Sequence, residues 1–486
     1  MTGLPAGWAR ARLADVLERL EYGYTAGATT APVGPRFLRI SDIQRGQVDW
    51  DRVPFCDCPD PARYALSEGD VVVARTGATT GKSYLLRGDV PESVFASYLI
   101  RLRIRPGFCP EYLHQFMQSP AYWSQLRVAL EGSTRPGVNA TKLGDLTIPV
   151  PPAREQRRIV ARVTALLQPC RRARRALDAI PPLLDRLRQS ILAAACRGDL
   201  SAAWRARNPD IEPADQLLER VRAERLRQAA GRARKRARGE KPGPRDLPGS
   251  SALPPGWAWS SVGELVDVQT GATPRRGTPA FYDGGTIPWL TSTVVNHAYV
   301  DSATRFITET ALRRTGVKLF PPGTLLVAMY GEGRTRGTCT ELRISATTNQ
   351  ALAALRTDRL DATLRGFIKL CLEHDYPQIR GQAGGGVQPN LNLTRVREIR
   401  LPIPPPMEQA EILSRVSVRT APLSRVTEAL SHWRDACDQL ERAILVRAFR
   451  GQLVPQDPDD EPASVLLERI RAASGRGSQG DGSRTP

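Results

Sequence analysis

Two glycine-rich stretches carry side chains suited to meeting an anion. Gly77 to Ser83 (GATTGKS) resembles a phosphate-binding loop, but three residues separate its glycines where that motif requires four. Gly331 to Thr338 (GEGRTRGT), the corresponding stretch further along, lacks the lysine as well. Nucleotide binding is therefore not expected at either. What remains is backbone that can approach another surface closely, with Arg75, Thr79, Lys82, Arg334 and Arg336 near enough to meet phosphates or guanine edges. A β-turn of the scaffold is the competing reading. A second pair of loops, Ser133 to Lys142 (STRPGVNATK) and Gly381 to Thr394 (GQAGGGVQPNLNLT), is rich in glycine and amides. Arg135, Asn139, Gln388, Asn390 and Asn392 have fork-shaped ends that match base edges, although helix capping is the preferred reading of Asn139 and Asn392. Asn349 and Gln350 suit turn chemistry equally well.

Other chemistries are excluded by spacing. The eight cysteines form no CxxC pair and the four histidines lie far apart, so no metal site is expected and the thiols are read as reduced and apolar. There is no Asn/Asp-Pro-Pro-aromatic tetrapeptide of the methyltransferase kind, and Asn208-Pro209-Asp210 does not replace it. No lysine has an acid two positions before it, which removes the Asp/Glu-x-Lys element of many nucleases. The chain alone is expected to be no enzyme and to hold no cofactor.

The framework behind these loops is a duplication. At 486 residues the chain exceeds the roughly 250 to 300 that one core serves, so at least two domains are needed. A composition 41% hydrophobic and 24% charged is ordinary for globular proteins and argues against a mainly disordered or fibrous chain. No apolar run reaches about 18 residues and the Met1 to Gly7 start has no signal pattern, so no membrane partner is expected and the address is cytoplasmic. The net charge of +19 points to a polyanion. Because 63 of the 69 basic residues are arginine, a GC-rich genome also contributes to it.

LPAGW from Leu4 returns as LPPGW from Leu253, and Leu66 to Gly77 (LSEGDVVVARTG) returns as Leu319 to Gly331 (LFPPGTLLVAMYG). IPVPPAREQRRIVARV from Ile148 matches LPIPPPMEQAEILSRV from Leu401, and QSILAAACRGDL from Gln189 matches RAILVRAFRGQL from Arg442. Even EPADQLLERVRAER from Glu212 recurs, as EPASVLLERIRAAS from Glu461. The expected order is a globular region (1–150), a helical region (151–200), a short helix with a basic linker (201–252), then globular (253–403), helical (404–453) and a C-terminal helix with a disordered tail (454–486). The linker, Gly231 to Ser251, has no apolar periodicity.

Both helical regions carry apolar residues alternately three and four apart. In the first they are Cys170, Ala173, Leu177, Ile180, Leu184, Leu187 and Ile191; in the second Leu423, Val426, Leu430, Trp433, Cys437, Leu440 and Ile444. This spacing predicts a heptad seam, and its repetition in one register favours pairing of the two helices over packing of each on its own core. Pro169 and Pro422 are expected in first helical turns, and Pro181-Pro182 is expected to kink the first helix.

The duplicated LPxGW starts, the Pro-rich turns followed by Glu155-Gln156 and Glu408-Gln409, and the ILxxAxxGxL helix ends resemble the specificity subunit of a type I restriction-modification system. The resemblance covers nearly the whole chain. It implies an α+β fold in which two similar target-recognition domains are joined by two long antiparallel coiled-coil helices with pseudo-twofold symmetry. It also implies as partners double-stranded DNA with a bipartite site, methylation subunits (two, using S-adenosylmethionine) and ATP-dependent restriction subunits. The seam from Cys170 to Ala194 covers 24 steps, about 36 Å at 1.5 Å each, close to the turn of duplex that separates the half-sites of dimeric readers. The specificity subunit of a related methyltransferase–nuclease system, a coiled-coil adaptor that binds no DNA and a single-chain enzyme of unfamiliar type are the alternatives.

Overall fold

The computed structural model describes residues 3–44, 46–131, 137–230, 252–330, 337–381 and 391–477. They fall into two compact units that cut across the order of the repeats: Met1–Ala179 with Leu430–Pro486, and Ile180–Ala429.

In the first unit β1 (Ala9–Arg12), β2 (Leu17–Tyr22), β3 (Val71–Ala74), β4 (Ser83–Leu85) and β5 (Leu99–Ile104) precede α1 (Pro110–Gln118) and α2 (Pro120–Leu130). Then come α3 (Ala140–Gly144), β6 (Thr147–Val150) and the 44-residue α4 (Ala153–Cys196), of which residues from Ile180 on belong to the second unit. The main sheet runs β2-β5-β3-β4, antiparallel throughout, and β1 pairs with β6. β3 reads VVVA and is buried at every position. Alternation explains this, since successive side chains leave opposite faces. Val71 and Val73 enter the core shared with Tyr112 and Phe116 of α1, whereas Val72 joins Leu38, Leu86 and Phe95 on the other face. Each such side chain contributes about 1.5–3 kcal/mol by leaving water.

The second unit repeats this plan. Its elements are α5 (Ala214–Ala230), β7 (Ala258–Ser261), β8 (Val268–Thr270), β9 (Tyr299–Val300), β10 (Leu325–Ala328), β11 (Cys339–Leu342) and β12 (Leu352–Leu355), then α6 (Ala362–Gly381), α7 (Leu393–Glu398) and β13 (Arg400–Ile403). The 43-residue α8 (Pro406–Ala448) and α9 (Ala463–Gly477) complete the chain. The sheet order β8-β12-β10-β11 reproduces that of the first unit, with β9 added in parallel at the edge, and β7 pairs with β13 as β1 does with β6. The central LLVA strand again splits, Leu325 and Val327 to one core and Leu326 and Ala328 to another.

The repeated motifs turn out to be parts of one latch built twice. α4 starts after Pro151-Pro152 and α8 after Pro404-Pro405, and the buried glutamates of their first turns each accept a hydrogen bond from a tryptophan of an LPxGW segment. Trp8 Nε1 donates to Glu155 at 3.0 Å, and Trp257 Nε1 donates to Glu408 at 3.0 Å. Gln456 Nε2 also donates to Glu155, at 3.2 Å, while Ser201 Oγ and the Arg205 guanidinium serve Glu408. The neighbouring glutamines hold the turns, Gln156 Nε2 donating to the Pro151 carbonyl at 3.1 Å and Gln409 Nε2 to that of Pro404 at 2.8 Å.

The far ends of the long helices supply the rest. Gly198 (φ +76°) and Gly451 (φ +68°) lie just past α4 and α8, in the left-handed conformation that ends helices. A Cβ at Gly198 would meet Pro254 and Trp257 at 2.9 and 3.0 Å, and one at Gly451 would collide with Pro5. Next, the Ala214 amide donates to the Gly256 carbonyl at 2.8 Å and the Ala463 amide to that of Gly7 at 2.9 Å. Each unit is therefore closed by the helix end and the following short helix of the other repeat. In the first unit Ile444, Leu445, Ala448 and Phe449 share a core with Trp8, Ile148 and Ile159. In the second, Leu192, Ala195 and Cys196 share one with Trp257, Leu401 and Ile412.

Within the first unit α4 and α8 run antiparallel, linked by Arg174 with Asp438 and by Arg434 with Asp178 at 2.9 Å. One row of the expected seam faces inward there: Cys170, Leu430 and Ile444 are buried, and Leu177 and Cys437 half-buried; Leu184 and Ile191, on the part of α4 that belongs to the second unit, are half-buried too. The other row is shifted. Trp433 is 61% exposed, Leu440 51% and Leu187 49%. Arg174 and Arg434, one residue on from Ala173 and Trp433, take the inward places instead. One residue is about 100° of helix, so a four-three spacing in place of three-four turns most of that row to solvent, although Ile180 stays half-buried. Two prolines depart from expectation: Pro169 and Pro422, expected in first helical turns, lie inside α4 and α8, and Pro181 and Pro182 also fall within α4.

Candidate nucleic-acid interface

Four loops of the first unit meet beyond the ends of its sheet. They follow β2, join β3 to β4, precede β5 and precede α3. Backbone bonds tie them: Arg75 N donates to the Tyr98 carbonyl and Val138 N to the Arg75 carbonyl, both at 2.9 Å, and Thr76 bridges to Gly137. The Tyr22 hydroxyl accepts from the Ala140 amide at 2.9 Å. Gly23 is required where β2 ends, because a Cβ there would overlap the carbonyls of Phe95 and Ala96.

On this frame the Arg75 guanidinium lies 4.7 Å from the centroid of the Tyr22 ring. Stacking of this kind fixes a planar fork without neutralising it. Tyr22 is 38% exposed and Tyr98 64%. Neither tyrosine stood out in the sequence; the usable signal was Gly23, which announces a tight crossing directly after Tyr22. Thr79 lies in the 3₁₀ turn Gly77–Thr79, and Lys82 is exposed on the same loop.

The glycine-rich loop itself is partly scaffold. Gly81 has φ +84°, a Cβ there would collide with Leu126 Cδ2, and its carbonyl accepts from Tyr122 Oη at 2.9 Å. Gly77 (φ +80°) has open space around it. The two asparagines are helix caps: Asn139 Oδ1 accepts from Lys142 N at 2.7 Å and Asn392 Oδ1 from Arg395 N at 2.8 Å. Asn349 closes a turn by accepting from Ala351 N at 3.1 Å, and Gln350 accepts from the Thr273 hydroxyl. Arg135, Arg334, Arg336, Gln388 and Asn390 lie outside the described residues.

The second unit has the same frame with different side chains. Met329 N donates to the Ala351 carbonyl at 2.8 Å and Leu391 N to the Met329 carbonyl at 3.3 Å, the counterparts of the two bonds about Arg75. Gly271 presses on Thr348 as Gly23 does on Phe95 and Ala96. Thr270, Met329 and Ala351 thus stand where the first unit has Tyr22, Arg75 and Tyr98.

Among the described residues, no cluster of His, Cys, Asp and Glu could hold a metal ion, and no helix is long and apolar enough to cross a membrane. All eight cysteines are free thiols. Burial pushes Cys109 up to about 11, keeping it protonated, and burial with the nearby Arg87 charge brings His114 down to about 4. His374 contacts Asp375, its neighbour on α6, at 2.7 Å, a half-buried pair on one helix.

Comparison with known proteins fits this architecture. A family model described as type I restriction modification DNA specificity domain matches residues 62–175 and 254–429, one stretch in each repeat. The chain is 31% identical over 222 residues to the EcoKI specificity subunit of Escherichia coli strain K12, an overlap of 43% of this chain and 48% of that one, so the match spans about half that relative's length. It is 23% identical over 508 residues to the StySPI specificity subunit of Salmonella potsdam, covering 96% of both. A solved structure from work on complex assembly and conformational transition of the type I R-M system superposes with a TM-score of 0.62 at 22% identity, covering 93% of this chain and all of the other.

Proposed function

Because this chain belongs to the type I restriction-modification DNA specificity family, we propose that it reads a bipartite site in double-stranded DNA, one half-site per unit, and brings methylation and restriction subunits to it. The carrying observation is the pair of matching frames with unlike side chains: Tyr22, Arg75 and Tyr98 in one, Thr270, Met329 and Ala351 in the other. A scaffold kept twice while its exposed loop residues differ is what reading two different half-sites requires. The net charge of +19 supplies attraction to phosphates. Arg75, Thr79, Lys82, Arg135, Arg334, Arg336, Gln388 and Asn390 remain the candidates for contact with DNA. Asn139 and Asn392 position the loops as caps.

In this reading chemistry resides in the partners. Two methylation subunits transfer methyl groups from S-adenosylmethionine to adenines, ATP-dependent restriction subunits cleave, and this chain contributes no catalytic residue. α4 and α8 act as a coiled-coil spacer. Within the first unit the outward apolar residues Trp433 and Leu440 of α8 supply a surface for protein partners, since exposed large apolar groups on a helix favour burial in an interface.

The test is duplex binding by the full chain, followed by methyl transfer after methylation subunits are added. Binding is expected to weaken steeply with salt, and methyl incorporation to need both components. No affinity for DNA at low salt would favour the protein adaptor, and methyl transfer by the chain alone would favour the single-chain enzyme.

A further inference from the structure

We propose that Arg75, held against Tyr22 and flanked by Tyr98, reads a guanine in the first half-site, and that the matching position of the second unit, Met329, makes no such contact. This rests on the proposal that the chain reads DNA, and it assigns one base and one side chain within it.

Three observations carry the assignment. Arg75 is half-buried and stacked at 4.7 Å on Tyr22, and among the described residues no carboxylate lies within ion-pair distance of it. Two arginines of the same unit are neutralised by contrast, Arg103 by Asp70 and Arg101 by Glu21. An ordered, unneutralised guanidinium beside the surface retains its full capacity to donate two parallel hydrogen bonds. The O6 and N7 acceptors of guanine in the major groove match that fork, whereas adenine offers a donor in place of O6.

Second, the loop is braced from both sides. The Arg75 amide and carbonyl are each bonded, to Tyr98 and Val138, and the Tyr22 ring is anchored through its hydroxyl to Ala140 N. Bracing limits the ordering that binding must impose, and discrimination by a hydrogen-bonding fork depends on such fixed placement. Tyr98, 64% exposed one strand away, offers a ring face and a hydroxyl to the same partner.

Third, the second unit serves as an internal control. Its frame is bonded in the same way through Met329, Ala351 and Leu391. Neither Met329 nor Ala351 carries a donor on its side chain, so guanine reading by this route is confined to the first unit.

The experiment selects bound duplexes from a pool randomised in both half-sites, using the full chain at low ionic strength, and compares wild type with R75K, Y22F and Y22A. Wild type is expected to prefer guanine at one position of one half-site by roughly 5- to 150-fold, the range of a bidentate contact. R75K keeps the charge but loses the rigid fork, leaving a mobile ammonium that donates to O6 or N7 less precisely, so the preference should fall severalfold while the other half-site and the salt dependence of binding are unchanged. Y22F keeps the ring but loses the bond from Ala140 N and should keep most of the preference, whereas Y22A loses ring and brace together and should weaken it roughly two- to fivefold. Retention of the full guanine preference by R75K, or its loss from both half-sites, would overturn the assignment while leaving DNA reading intact. A wild-type chain that selects no sequence at all would overturn the underlying proposal instead. Should R75K fail to fold by circular dichroism, the contrast between Y22F and Y22A decides alone: equal preferences overturn the stacking argument.

Discussion

Replacing Phe449 by alanine should damage the first recognition unit, although the residue belongs to the second repeat. Phe449 lies just past α8, is nearly buried, and has ring centroids 5.3 Å from Tyr112 and 5.4 Å from Phe116 of α1. Removing a buried phenylalanine costs about 3–5 kcal/mol once the cavity is counted. For a unit of this size each kcal/mol lowers the melting midpoint by about 2–4 °C, so its transition should move down by roughly 6 to 20 °C. Hydrogen exchange followed by mass spectrometry locates the damage. Peptides from β2, β3 and β5 should lose protection, and those from β8, β10 and β12 should keep it. The counterpart in the second unit is Cys196, buried with Cys371 at an Sγ–Sγ distance of 3.7 Å, and C196A should produce a smaller loss confined to that unit. If F449A relaxed the second unit, or cost less than about 1 kcal/mol, the exchange of helix ends between repeats would be wrong.

Other outcomes follow from single contacts. Trp257→Phe removes one donor from buried Glu408 and should cost the second unit about 1–3 kcal/mol in a urea titration. Gly81→Ala, with φ +84° and a collision with Leu126, should destabilise the first unit more than Gly77→Ala, with similar φ and open space; thermal melts rank the two. Burial raises Glu155 above the ordinary glutamate value of 4.5, opposed by its bonds from Gln456 and Trp8. The folded state therefore holds this proton more tightly than the unfolded chain. Its contribution to stability is largest below the unfolded value and is lost as pH rises through the folded one, so E155Q should flatten the first unit's melting midpoint between pH 4.5 and neutrality. Inserting one heptad into both α4 and α8 should lengthen the spacer by about 10.5 Å and shift the preferred gap between half-sites by roughly three base pairs, or weaken binding to every gap; selection from spacer libraries distinguishes these from no change.

Much of this was legible from repetition. The LPxGW segments, the Glu-Gln turns and the glycine-ended helices were visible as duplicates, and duplication gave the correct expectation of two like domains and two long helices. What each duplicate does was not visible. Trp8 meets Glu155 across 147 positions, and Gly451 meets Pro5 only because the chain returns to its start, which no local periodicity encodes. The seam was half legible for a similar reason. Rows three-four and four-three share every second position, and an apolar count prefers Trp433 and Leu440, whereas ion pairs to Asp178 and Asp438 bring Arg434 and Arg174 inward. Glycine and amide richness drew attention to the loops, but the residues that order Arg75 lie elsewhere in the chain, on β2 and in the turn before β5, and only the fold brings Tyr22 and Tyr98 to it.

The exchange of helix ends has a consequence for any protein made of a single repeat. Such a half could not close its own latch, because Gly198 packs on Pro254 and Trp257 rather than on Pro5 and Trp8. Two copies could close each other's, in the manner of a swapped dimer, and would assemble only above a threshold concentration. Tandem linkage removes that threshold, since a tethered partner is present at an effective concentration fixed by the connecting chain and independent of expression level. It also frees the two copies from identity. A symmetric pair must present the same loop twice, whereas the joined chain can carry Arg75 on one frame and Met329 on the other.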